Sequence, residues 1–150
     1  MMPEVTIRRM ERQDIDAVLK VEETVFSTPW SRASFETEVD ENALARYFVA
    51  VAANQIVGYA GMWIILDEAH VTNIAVLPSF WGLGIGGKLV TSLMDCARSN
   101  KVVSMTLEVR TTNERAKNLY LRMGFVPQGV RVGYYSDTRE DALIMWRENL

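Results

Sequence analysis

The sequence predicts a mixed α/β fold, a mainly antiparallel sheet flanked by four helices in the order βααβββαβαββ. Three observations carry this expectation. Residues 47–66 hold no charge and are rich in Val, Ile and aromatic residues, but Asn54-Gln55, Gly58 and Gly61 interrupt them. That is the pattern of two strands joined by a tight turn, whereas a membrane span usually needs about 20 continuous apolar residues. Residues 71–93 read VTNIAVLPSFWGLGIGGKLVTSL, a β-branched run, then Pro78, then a glycine cluster at Gly82, Gly84, Gly86 and Gly87, then a helical period. Finally, four segments place apolar residues at helical spacing.

Taken in order, residues 5–9 alternate apolar and polar side chains and predict a first strand. Residues 14–26 carry Ile15, Val18, Leu19 and Val25 as a helical stripe that Pro29 ends. Ser31 can cap a second helix with Phe35 and Val39 on one face. Residues 46–53 and 55–66 form the hairpin, Asp67-Glu68 the next turn, and residues 70–76 a further strand. Leu89, Val90, Leu93, Met94 and Ala97 define a third helix, and residues 102–109 a strand ending in Glu108. Asn113 suits the N-cap of a fourth helix with the stripe Ala116, Leu119, Tyr120 and Met123, and Gly124 stands where a C′ glycine belongs. Residues 125–134 and 142–146 close the sheet as an antiparallel pair around the polar turn 136–141. No linker or repeat divides the chain, so residues 1–150 are expected to form a single domain.

Composition excludes several function classes. Apolar residues make up 49% and charged residues 23%, ordinary values for a soluble domain. The formal net charge is −3 and no Lys/Arg tract occurs, which argues against nucleic-acid binding. The start MMPEVTIRRMERQD lacks the apolar run of a signal peptide, and the lone Cys96 cannot form an internal disulfide. A cytoplasmic protein that contacts no membrane is expected, and a monomer is compatible with all of this. One His and one Cys cannot build a structural zinc site, so no metal is expected. His70 begins a strand without a neighbouring nucleophile motif and reads as a half-exposed strand histidine.

The glycine loop points to a phosphorylated cofactor. Strand, loop and helix N-terminus together present backbone amides and the positive end of a helix dipole. Glycine within a helix costs roughly 1 kcal/mol against alanine, so the glycines of the first turn imply a close approach to the backbone. Gly82 to Gly87 fits G-x-G-x-x-G, but residues 77–81 separate strand from glycines where a dinucleotide fold needs an immediate turn. Gly82 to Lys88 has P-loop spacing, yet Leu89 offers no hydroxyl for Mg²⁺.

The surroundings supply a third reading. Ile74-Ala75-Val76, Pro78, the glycine loop, Leu107-Glu108-Val109-Arg110, Asn113, Ala116, Leu119-Tyr120 and Met123-Gly124-Phe125 together resemble the GCN5-related N-acetyltransferase (GNAT) superfamily. Within it the chain is similar to the RimI-type ribosomal-protein-alanine N-acetyltransferases. Pro29-Trp30-Ser31, Leu66-Asp67-Glu68-Ala69, Tyr134-Tyr135, Arg139-Glu140-Asp141-Ala142 and Ile144-Met145 carry that closer likeness, which spans about residues 5–147.

The resemblance implies transfer of acetyl from acetyl-CoA to an amine, here the N-terminal alanine of a ribosomal protein, with a small amine or a lysine side chain as the alternative acceptor. A non-catalytic acyl-CoA-binding regulator is the alternative of another class. Pantetheine would bond to the backbone of Ile74, Ala75 and Val76, and the pyrophosphate would lie on Gly82, Leu83, Gly84, Ile85, Gly86 and Gly87. Asn113 would touch the cofactor, Glu108 would be the general base and Tyr120 the general acid. Trp30, Glu68, Tyr134 and Tyr135 would contact the acceptor. Trp81 and Gly82 stand where the family loop opens with Gln or Arg and a basic or polar residue, which removes donors near the pyrophosphate.

The chemistry is consistent with those roles. An ammonium must lose a proton before it attacks a thioester, so a carboxylate nearby is useful; as a merely structural residue, Glu108 would pair with Arg110 or another cation. A phenol of pKa about 10 is near enough to a thiol's ~8.5 to protonate a departing thiolate, although Tyr120 could equally be a core residue of its helix.

Overall fold

The computed structural model describes residues 4–150. Its elements are β1 (Val5–Arg9), α1 (Ile15–Val25), α2 (Arg32–Asp40), β2 (Ala45–Ala52), β3 (Gln55–Ile65), β4 (Glu68–Val76), α3 (Ile85–Ser99), β5 (Ser104–Arg110), α4 (Glu114–Arg122), β6 (Val126–Arg131) and β7 (Ala142–Arg147). They follow the expected order. The seven strands form one sheet in the spatial order β1-β2-β3-β4-β5-β7-β6, and only β4 and β5 run parallel.

Local chemistry sets the element ends. Ser31 Oγ accepts the Ser34 amide at 3.1 Å and starts α2, and Asn113 Oδ1 does the same for Ala116 at 3.1 Å and starts α4. Gly124, at φ +92°, closes α4: its amide reaches the Leu121 carbonyl and the Phe125 amide reaches Tyr120 at 2.9 Å. Two turns differ from expectation. The β2–β3 turn is Ala53-Asn54, both left-handed, so β2 ends at Ala52 and not at residue 53, while Gln55 opens β3 as expected. The β3–β4 turn is Leu66-Asp67, with Leu66 at φ +56°, so Glu68 belongs to β4 opposite Ile65. The closing strand β6 also stops at Arg131, before the tyrosine pair.

Each face of the sheet has its own core. Val57, Ala60, Met62, Met105, Leu107 and Val109 pack with Leu89, Val90 and Leu93 of α3 and Tyr120 of α4. On the other face Tyr47, Val49, Tyr59 and Ala75 pack with Ile15, Val18 and Val21 of α1 and Phe35 of α2. The alternation of β5 therefore sends Thr106, Glu108 and Arg110 to the α1/α2 side.

Buried carboxylates anchor that second layer. Asp14 accepts both Arg8 guanidinium nitrogens, at 2.8 and 2.9 Å, and the Glu11 amide at 2.7 Å, tying β1 to the start of α1. Glu22 accepts the Tyr59 hydroxyl and, at 2.8 Å, the Trp30 amide. Burial pushes its carboxyl up while those two donors pull it back. Glu38 accepts Tyr47 Oη at 2.9 Å, Trp63 Nε1 at 2.6 Å and Asn42 Nδ2 at 2.6 Å. These bonds hold α1, α2 and the turn between them on the sheet.

The parallel pair is short. β4 and β5 pair only from Glu68↔Ser104 to His70↔Thr106. A bulge at Thr72 then shifts β4 along β3, between Met62↔Val71 and Gly61↔Asn73, while β5 stays with β7. The sheet splits there, and the end of β4 keeps a strand neighbour on one side only.

Candidate active site

The split exposes backbone. Leu77 donates to the Val57 carbonyl at 2.8 Å, so the antiparallel alternation turns Ala75 toward β3 and turns the amides and carbonyls of Ile74 and Val76 into the gap. Ala75, expected to bond a cofactor with its neighbours, instead spends its backbone on the sheet, and its side chain is buried in the α1/α2 core. The Val76 carbonyl accepts the indole N–H of Trp81 at 2.8 Å.

The glycine loop follows a 3₁₀ turn at Pro78–Phe80. Gly82 and Gly84 take φ +80° and +78°, and a Cβ on either would meet nothing within 4 Å. They are glycines because the backbone is left-handed, and the space above them is open. Gly86 has a different reason: a Cβ there would come within 3.0 Å of Leu119, so α4 lies against the first turn of α3. Gly87 has a looser neighbour in the same Leu119, at 3.8 Å. Ile85 is buried and Leu83 packs on the same core, which anchors the loop between the exposed glycines. The first helical bond runs from Lys88 to the Gly84 carbonyl, leaving the amides of Ile85, Gly86 and Gly87 without helical partners. Asn113 spends its carbonyl oxygen on the α4 cap and keeps its NH₂ as a donor.

Just past the split, on the α1/α2 face, Glu108 is 11% exposed. Its Oε2 lies 2.7 Å from His70 Nε2 and its Oε1 lies 3.9 Å from Arg131 Nε. Glu108, His70, Glu68, Arg131 and Trp146 line a cavity of about 430 Å³. Arg110 is not the partner of Glu108. It binds Asp137 at 2.9 Å and Glu140 at 3.4 Å and lies 4.0 Å over the ring of Tyr135. Ser27 Oγ donates to the same Asp137 at 2.7 Å, joining the α1–α2 turn to the β6–β7 loop.

The tyrosines differ in setting. Tyr134 and Tyr135 meet edge-on at 5.1 Å. Burial raises both phenols and the charge of Glu108 raises them further; Tyr135 is pushed up to about 12, with Arg110 acting the other way. Tyr120 is buried, 8% exposed, and stacks edge-on against Phe125 at 5.8 Å. Burial raises its phenol above the ordinary value and Arg115 opposes that. Trp30 stands apart from the Glu108 cavity. It packs on Phe35 at 5.4 Å and lines a second cavity of about 380 Å³ with Thr37, Glu38 and Trp63. Trp63 is the cross-strand partner of His70, so the two cavities flank one residue pair on one face.

A sequence model of the Acetyltransferase (GNAT) family matches residues 15–125. A protein of Bacillus subtilis (strain 168), provisionally named a ribosomal protein bS18-alanine N-acetyltransferase, is 39% identical over 146 residues, covering 97% of each chain. The chain belongs to the GNAT family. The ribosomal protein bS18-alanine N-acetyltransferase of Escherichia coli (strain K12) is 34% identical over 142 residues, covering 93% of this chain and 95% of that one. The crystal structure of the Escherichia coli ribosomal-protein-S18-alanine N-acetyltransferase superposes with a TM-score of 0.88 at 32% identity, over 97% of this chain and 94% of the other.

For a GNAT protein the arrangement has a definite chemical capacity. Free backbone donors line one side of the split and a carboxylate stands at its other side, so an acyl group and an amine can meet between them. His70 is the half-exposed strand residue expected, but its contact with Glu108 was not anticipated, nor were the positions of Trp63 and Arg115. His70 lies two residues from Glu68, and period-2 alternation puts both on one face, but nothing local to the chain announces the parallel pairing that brings Glu108 to it. Among the described residues no group of three His, Cys, Asp or Glu could hold a metal ion, and no helix is long and apolar enough to cross a membrane.

Proposed function

We propose that this chain is an acetyl-CoA-dependent Nα-acetyltransferase, a single cytoplasmic catalytic domain over residues 1–150, whose acceptor is the N-terminal alanine of ribosomal protein bS18. The observation that carries the proposal is Glu108, a largely buried carboxylate just past the β4/β5 split, on the sheet that ends in open glycine amides. The open space above Gly82 and Gly84 and the gap-facing backbone of Ile74 and Val76 fit a phosphorylated pantetheine cofactor. Gly82 to Gly87, Asn113, Ile74 and Val76 would hold it. When bound, acetyl-CoA supplies the thioester carbonyl that the amine attacks.

Glu108 accepts a proton from the α-ammonium, directly or through one water, and His70 at 2.7 Å orients the carboxylate. With acetyl-CoA bound, the N–C bond would form as the C–S bond breaks; the second proton of the attacking nitrogen would replace the one Tyr120 gives the sulfur, and Glu108 would pass the first to solvent. Tyr120, a phenol that is protonated at neutral pH with or without its burial, would offer its O–H to the departing sulfur. The same burial weakens it as an acid, and the nearby Arg115 partly restores it. An α-amine of pKa about 8 is roughly 10% neutral at pH 7, whereas a lysine at about 10.4 is roughly 0.04% neutral, so one glutamate suffices for an N-terminus far better than for a lysine. Glu68 lines the Glu108 cavity and Trp30 the neighbouring one; together with Tyr134 and Tyr135 they would border the approach of the peptide, and Ser27–Asp137 joins the two segments that carry Trp30 and the tyrosines.

The test is mass spectrometry of peptides incubated with acetyl-CoA. A peptide with the free N-terminus of bS18 should be acetylated with far higher kcat/KM than its N-terminally blocked form, an internal-lysine peptide or a polyamine. Equal rates on blocked peptides or polyamines would refute the N-terminal assignment. CoA binding with no turnover on any amine would refute catalysis.

A further inference from the structure

Two cations stand by the glycine loop without a carboxylate partner among the described residues: Lys88, exposed in the first turn of α3, and Arg115, which alone is held against a side chain of the loop's opening. Arg115, in the first turn of α4, places its guanidinium carbon 3.5 Å from the centre of the Trp81 ring. Trp81 immediately precedes Gly82, and its indole N–H is spent on the Val76 carbonyl at 2.8 Å. Leu119, one helical turn beyond Arg115, covers Gly86, so α4 carries Arg115 along the same side as the loop. Among the described residues no carboxylate lies within 4.0 Å of the Arg115 guanidinium, although Lys117 nearby pairs with Glu114 at 2.8 Å. Between Trp81 and Gly87 no side chain is a free donor: Trp81 is engaged, and Gly82 and Leu83 carry none; Lys88 follows in α3, exposed and with no contact that fixes its ammonium.

We infer that Arg115, aligned on the face of Trp81, is the side chain that binds the diphosphate of CoA in this protein. This rests on the assignment of the glycine loop to CoA. The indole face fixes the plane of the guanidinium and leaves its edge free, and a planar fork held in advance suits two phosphate oxygens at once. Exposed arginines usually lose much of this strength to water and to side-chain entropy. Here the stack has already removed part of both. Trp81, 43% exposed, is then a platform at the mouth of the split whose position the Val76 carbonyl sets.

Calorimetry with CoA, 3′-dephospho-CoA and pantetheine separates the alternatives. Arg115→Ala should weaken CoA and dephospho-CoA alike, by about tenfold or more, and leave pantetheine unchanged, with an unaltered melting temperature. Arg115→Lys keeps the charge without the planar stack and should recover only part of the loss. Trp81→Leu, which removes the platform, should weaken both phosphorylated ligands while Arg115 is intact. CoA affinity unchanged in Arg115→Ala, or a lowered melting temperature with unchanged affinity, would overturn the inference and leave Arg115 as a cover for Trp81. A loss confined to CoA, with dephospho-CoA unaffected, would assign Arg115 to the 3′-phosphate and overturn the diphosphate contact. Wild-type protein that binds none of the three would refute the CoA assignment itself, and the inference with it.

Discussion

Glu108→Gln removes a negative charge and little else, and its consequence can be worked out from the site. A positioned general base is worth about 10²–10⁴ in rate. His70 Nε2 lies 2.7 Å from the carboxylate, so an imidazole remains beside the amide and can accept the proton when neutral. The single variant should therefore lose only about 10²-fold, near 2.7 kcal/mol of barrier, and the double variant His70→Ala/Glu108→Gln about 10⁴-fold. A base-free site can use only amine that is already neutral. With an α-amine pKa of about 8, that fraction rises from roughly 9% at pH 7 to roughly 91% at pH 9. The double variant should gain about tenfold across that interval and then level off, following the titration of the acceptor. Release of CoA thiol, read with a chromogenic disulfide under single-turnover conditions, measures the rate, and calorimetry confirms that CoA affinity is unchanged. Turnover of Glu108→Gln within about threefold of wild type at pH 7 would return Glu108 to a structural role. A double variant no slower than the single one would show that His70 does not stand in as base when Glu108 is gone.

Three further outcomes follow from the geometry. Gly84→Asn keeps a left-handed residue at φ +78° but fills the open space above it, so CoA affinity should drop at least tenfold with little change in melting temperature; intact affinity would mean that no phosphate sits there. Tyr120→Phe preserves the edge-on contact with Phe125 and should slow single-turnover transfer by about 10²-fold, whereas an unchanged rate would make Tyr120 a core residue alone. Asp14→Asn should cost about 1–2 kcal/mol at pH 7 in urea denaturation, because Arg8 holds the Asp14 carboxyl below its ordinary range. That contribution is present above the ordinary carboxylate pKa and disappears as pH falls through the depressed folded value, so the gap between variant and wild type should close in acid; a gap that widens there would refute the ion pair as its source.

What was legible in the sequence is what depends on neighbours along the chain. Ser31, Asn113 and Gly124 act at their own helix ends, and each sits where its chemistry predicts. The glycine loop was legible as a loop that needs glycines, but for mixed reasons: Gly82 and Gly84 answer to backbone conformation under open space, whereas Gly86 makes room for Leu119 from a helix more than thirty residues later. The turns slipped by one residue because Ala53 and Leu66 accept left-handed backbone that composition assigns to Asn, Asp or Gly; cross-strand pairing on both sides overrides that local cost. The contacts that set the electrostatics were out of reach for the same reason throughout. Glu108 faces His70 only because β4 and β5 run parallel for three residues before the Thr72 bulge parts them, and Arg110, the nearest cation in sequence, is drawn instead to Asp137 and Glu140 across the β6–β7 loop. A charge two residues away on the same strand face is thus a poor guide to pairing when a loop supplies two carboxylates. The same holds for Arg115, which the packing of α4 sets over Trp81, thirty-four positions earlier. The candidate site is assembled at the split in the sheet, and the split is a property of register, which the sequence encodes only through the pairing of whole strands.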